Sequence, residues 1–108
     1  MKVMIAGSRT IQVDIEKYIP DDTTMIISGG AIGVDTLAEK YADKMNIPKV
    51  ILKPDYKKYG KMAPLIRNKK MVDMADIVIA IWDGRSRGTK NTINYAISIN
   101  KRLKIYTV

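Results

Sequence analysis

The chain has no cysteine and no histidine. Without cysteine there are no disulfides, no thiolate nucleophile and no Cys-based metal site. Without histidine the commonest general base and the commonest metal ligand are gone, and so is any Ser-His triad. Any catalysis falls to carboxylates, Lys, Tyr, Arg or backbone groups. Long apolar runs are lacking too. The longest, Ile77 to Trp82, is far too short to span a membrane. The first residues enter at once on a strand-like run, Lys2 to Ala6, without a signal-peptide layout. The expectation is a cytoplasmic protein without membrane contact, in the host cytoplasm if the chain is viral.

What is present fits one domain, 1–108, with a single small core. The formal net charge is +8. Such a balance attracts polyanions, and it equally serves solubility. Five short, β-branched-rich apolar runs occur: Val3–Ala6, Met25–Ile27, Val50–Leu52, Ile77–Ile81 and Ile105–Val108. They are continuous rather than alternating, the pattern of parallel strands buried on both faces. Helical spacing lies between them. Val34, Leu37, Ala38, Tyr41, Ala42 and Met45 share one face, as do Ile93, Ala96 and Ile97. A third helix is predicted over 61–75, with Leu65, Ile66 and Met74 buried, and a weaker one over Ile11–Tyr18, closed by Pro20. Strict alternation of strand and helix implies right-handed crossovers with helices on both faces. The fold expected is α/β: a single Rossmann-like, doubly wound, parallel five-stranded sheet of order 3-2-1-4-5.

In such sheets ligands sit beyond the carboxyl ends of the strands near the switch point, here between the first and fourth strands. Gly7-Ser8-Arg9 follows the first strand, either as a plain turn with a solvated arginine or as a phosphate contact. Ser28-Gly29-Gly30-Ala31-Ile32-Gly33 follows the second and leads into a helix. Backbone N–H groups and the helix dipole favour an anion there; the alternative is glycine required for tight packing. The spacing is neither that of a Walker loop nor G-x-G-x-x-G. Asp35 serves either the helix dipole or a sugar hydroxyl. Asp83 through Thr89 open the fourth helix, with Ser86, Gly88 and Thr89 as a small polar start and Thr89 as a candidate N-cap. The loop Pro54–Lys61 offers tyrosines to stack on a base and lysines to meet phosphate, or is simply an exposed basic loop. Arg67-Asn68 falls within the third helix.

Together, Gly7-Ser8-Arg9, S-G-G-A-x-G-V-D at 28–35, Tyr59-Gly60-Lys61, Arg67-Asn68 and S-R-G-T at 86–89 resemble the SLOG superfamily over almost the whole chain, and its YspA/YpsA-related branch in particular. The resemblance implies a Rossmann-like domain for nucleotides or nucleotide-derived messengers, related to Lonely Guy phosphoribohydrolases and Smf/DprA DNA-processing proteins. It also implies a homodimer or higher homo-oligomer. Lonely Guy enzymes carry R-K-x-x-M and then P-G-G-x-G-T-x-x-E. Here Arg67 and Met71 match the first element and Gly88-Thr89 the later Gly-Thr, but the catalytic Glu position falls on Thr92. A threonine cannot act as that acid or base.

The sequence thus points to a protein that senses or sequesters a nucleotide-derived ligand, of an ADP-ribose type or a cyclic nucleotide messenger, with phage–host conflict as one setting. The ligand and phosphate contacts expected are Gly7, Ser8, Arg9, Ser28, Gly29, Gly30, Gly33, Asp35, Arg67, Asn68, Asp83, Ser86, Gly88 and Thr89. No catalytic residue, metal or cofactor is assigned. Two alternatives stand: a hydrolase of a nucleotide N-glycosidic or phosphate bond, and a single-stranded DNA-binding protein.

Overall fold

Isoleucine, valine and methionine fill the centre of the sheet because β-branched and long apolar side chains suit strands covered on both faces. A computed structural model describes all 108 residues. Five strands, β1 (Lys2–Gly7), β2 (Met25–Ser28), β3 (Lys49–Ile51), β4 (Ile77–Trp82) and β5 (Arg102–Thr107), form one parallel sheet in the order β3-β2-β1-β4-β5. Four helices connect them: α1 (Val34–Lys44), a one-turn α2 (Tyr56–Tyr59), α3 (Ala63–Met74) and α4 (Arg87–Ser98). The Rossmann-like α/β fold and its strand order follow the sequence reading.

Strand periodicity divides the core in two. Val3, Ile5, Ile26, Ile77, Ile79 and Ile81 face α1 and the segment Ile11–Ile19. Met4, Ala6, Ile27 and Val78 face α3 and α4 through Met71, Val72 and Ala96. Each fully buried Ile or Val contributes about 1.5–3 kcal/mol. No helix is long and apolar enough to cross a membrane.

Several local expectations are corrected. The segment Ile11–Tyr18 contains only a 3-10 turn, Ile15–Tyr18; its buried Ile11, Ile15 and Ile19 anchor it without a full helix. Over 61–75 the helix begins at Ala63, with Pro64 in its first turn, after a separate 3-10 turn Gly60–Met62. Leu65 and Ile66 are only half-buried and Met74 is exposed, while Met71 and Val72 turn inward. Ile97 is 61% exposed, because the inner face of α4 runs through Thr89, Thr92, Ile93 and Ala96. Met45 lies just past the end of α1 and is exposed. The outer strands β3 and β5 are not buried on both faces, since the buried residues of α1, α3 and α4 pack on β1, β2 and β4.

Candidate functional site

The strand order reverses between β1 and β4, which pair from Val3↔Ile77 to Gly7↔Ile81. Beyond their carboxyl ends the connections part in opposite directions and leave a cleft. A cavity of about 420 Å³ lies there. Its wall takes Gly7, Ser8 and Arg9 from the end of β1, Asp35 from α1, Arg67 and Asn68 from α3, and Asp83, Ser86, Gly88 and Thr89 from the start of α4. Ten expected contact residues thus converge from four separate stretches of chain.

Ser28, Gly29, Gly30 and Gly33 lie outside this wall. Their turn is held from within. The Ser28 hydroxyl donates to Glu39 (2.8 Å) and accepts from the Gly30 N–H (3.2 Å). The Ala31 N–H donates to Asp35 Oδ2 at 3.1 Å. Close packing also demands glycine. Gly33 has φ +81°, and a Cβ there would lie 2.4 Å from the Arg9 carbonyl oxygen. At Gly29 a Cβ would meet Arg67 Nη1 at 2.7 Å and Asp35 Oδ2 at 3.1 Å. The turn therefore acts as a buttress between Arg67 and Asp35, with two of its amides already engaged.

The amides of Ile32 and Gly33 in this turn have no acceptor in the chain, and further free donors lie at α4. Ser86, not Thr89, is its N-cap; Thr89 stands in the first turn with its hydroxyl 3.3 Å from that of Ser86. Asp83 Oδ1 accepts the N–H groups of Arg85 and Ser86, each at 2.8 Å, and the indole of Trp82 donates to the Ser86 carbonyl. The next three amides, Arg87, Gly88 and Thr89, find no acceptor in the chain. They add their partial positive charge to that of the helix terminus. The Asp83 N–H donates to Ser8 Oγ at 3.2 Å, which ties this turn to the end of β1 across the switch point. Those same two amides hold the Asp83 carboxyl below its ordinary range.

Two guanidinium groups face the cavity without an ion-pair partner; the only salt bridge in the protein joins Lys49 to Asp43. Arg67 is half-buried. Its Nη1 donates to the carbonyls of Gly29 (2.8 Å) and Leu52 (3.1 Å), and its Nε to Asn68 Oδ1 (2.9 Å). It thus braces the loops after β2 and β3. Burial lowers its pKa and the nearby Arg9 adds to this, while Asp35 opposes them; an arginine stays charged regardless. Arg9 is exposed at the cavity mouth.

Asp35 is 8% exposed. Burial pushes its carboxyl up to about 6, and Glu39 adds to the rise, against the Ala31 N–H and Arg67, which pull it down. Sequence reasoning did not name Met4, Ile5, Ala6, Thr10 and Met71 as contacts, whereas Ala31, also in the wall, belongs to the glycine-containing turn that it singled out. Thr92 also lines it, 2% exposed. The strand residues Met4–Ala6 carried no polar signal, and Met71 became a wall residue only through its neighbours in space. No three Asp or Glu side chains gather where they could share a metal ion.

Beside the cleft runs the segment 53–70. It holds seven Lys or Arg against one Asp, six of the chain's eight net positive charges. Tyr59 packs between Lys58 and Lys70, with the ammonium groups 5.2 and 5.5 Å from the ring centre. Tyr56 is exposed.

The fold and the cleft define a Rossmann-like α/β protein with a polar cavity at its switch point, lined by two arginines and two aspartates. No protein-family model, no curated protein and no solved structure matches the chain.

Proposed function

We propose that the protein binds, and so senses or sequesters, a nucleotide-derived small molecule such as an ADP-ribose-type or cyclic nucleotide messenger. One observation carries the reading: Arg9, Arg67 and the unengaged amides of α4 converge on one cavity, and neither arginine is held in a salt bridge. Such a site favours a compact polyanion, for which forked guanidinium groups and a helix N-terminus are complementary. The cavity volume falls within the roughly 300–1,000 Å³ of small-molecule sites. The motifs shared with the SLOG superfamily support the same reading, and membership of it, with a homodimer, is part of the proposal. Calorimetry with ADP-ribose, ADP and cyclic nucleotides tests it; absence of binding across the panel at micromolar protein overturns it. Native mass spectrometry reports the oligomer and any nucleotide retained on purification.

Asp35 favours a second reading, hydrolysis of the ligand. A buried carboxyl raised to about 6 in a cleft has the character of a general base or acid. Asp83 is less suited, since its carboxylate caps the turn before α4. Chromatography of the same ligands after incubation separates the readings: intact ligand means binding alone.

A further inference from the structure

An anion-binding cavity gains nothing from a buried carboxylate in its wall unless the carboxylate meets something other than phosphate. Asp35 Oδ2 is used by the Ala31 N–H. The nearby Gly29 N–H also favours the charged carboxylate, but Oδ1 makes no direct hydrogen bond within the chain, and no guanidinium lies within ion-pair distance. Yet the protein seals no buried side-chain oxygen without a partner. Oδ1 is therefore not sealed from solvent, and Asp35 lines the cavity. Near Asp35 stand Arg67 from α3 and Glu39 from α1, and Arg9, after β1, stands near Arg67. The hydroxyl of Thr92, from α4, likewise lines the cavity without a partner in the chain.

We infer that Asp35 Oδ1 accepts hydrogen bonds from the ribose hydroxyls of the ligand, so that the site selects ribonucleotides over their deoxy counterparts. This rests on the nucleotide reading above. The phosphates belong with Arg9, Arg67 and the α4 amides, since like charge keeps them from a carboxylate. A ligand cation beside Asp35 is disfavoured by the two arginines. What Oδ1 meets is a neutral donor one short covalent step from the phosphates. In a nucleotide that is the sugar, because the donors of the base lie a ring further on. The raised Asp35 pKa fits an acceptor waiting for such a donor, as hydrogen bonds to the charged form relieve its desolvation.

The test measures calorimetric affinities at pH 8 for ADP, 2′,3′-dideoxy-ADP and inorganic pyrophosphate, on the wild type and on Asp35→Asn. Asparagine keeps an oxygen for the Ala31 N–H, and a thermal melt checks that the variant folds. The wild type is expected to prefer ADP to dideoxy-ADP by about tenfold or more, the worth of a hydrogen bond to a charged acceptor. In Asp35→Asn the preference falls severalfold, because the amide nitrogen gives a ribose oxygen only a neutral hydrogen bond in place of the charged one, while pyrophosphate binds at least as well as before. Pyrophosphate binding with no preference between the two nucleotides in the wild type overturns the ribose assignment and leaves the anion site standing. A preference of unchanged size in Asp35→Asn overturns the role of Asp35. No binding of any of the three overturns the nucleotide reading itself, and this inference with it.

Discussion

Replacing Asp35 with asparagine probes the electrostatics of the cleft through the pH dependence of folding. In the unfolded chain the carboxyl ionises near its ordinary 3.8; in the folded protein burial delays this to about 6. Below pH 3.8 both states hold the proton, and burial of the group carries no charge penalty. As pH rises toward 6 the unfolded chain releases its proton first, so the contribution of Asp35 to stability is lost across that window. The interval between the two values corresponds to about 3 kcal/mol against the wild type at neutral pH. Asparagine accepts the same Ala31 N–H and does not titrate. The stability of Asp35→Asn relative to wild type is therefore expected to climb by about 3 kcal/mol between pH 3.5 and pH 7, from whatever offset it has in acid. Urea unfolding followed by circular dichroism at four pH values measures this, with equal m-values as the check on two-state behaviour. The other carboxylates are common to both proteins and cancel in the difference. A difference that stays flat across the window, or shrinks as pH rises, refutes the assignment of a dehydrated, cavity-facing carboxylate.

Other outcomes follow from the same geometry. Gly33→Ala places a Cβ against the Arg9 backbone at φ +81°, and is expected to cost about 3 kcal/mol or more in urea unfolding; a loss below about 1 kcal/mol would show that the turn can shift freely. Arg67→Ala removes two bonds to backbone carbonyls and is expected to lower stability by about 2–3 kcal/mol as well as weakening pyrophosphate binding. Arg9→Ala, at an exposed position, is expected to weaken binding with stability held within about 0.5 kcal/mol; equal effects of the two variants on stability would contradict their different roles. Reversing Lys57, Lys58 and Lys61 to glutamate is expected to leave ADP affinity within about threefold, since these side chains lie outside the cavity wall. If the triple variant abolishes the main binding activity, and that activity falls steeply with salt, single-stranded nucleic acid becomes the better ligand.

The alternation of continuous apolar runs with helical spacing determined the sheet and its order, because burial on both faces and right-handed crossovers leave few arrangements for five parallel strands. The same reading located the cleft, since residues that follow β1 and β4 must flank the switch point. Boundaries were less legible where single residues decided them: a helix face at Ile97 turns outward because Thr89 and Thr92 take the inner positions. The roles within the cleft came only from the tertiary structure. A Gly-rich turn before a helix reads locally as an anion cradle; the packed chain shows that Ser28 and Asp35 engage two of its amides, that those of Ile32 and Gly33 stay free, and that Gly29 and Gly33 pack against Arg67 and the Arg9 backbone. Arg67 lies 38 residues from the Gly29 carbonyl that it braces, so no sequence window contains both. The free amides of α4, the unpaired arginines and the exposed oxygen of a buried Asp35 are properties of what surrounds each group, and only the packed chain decides them.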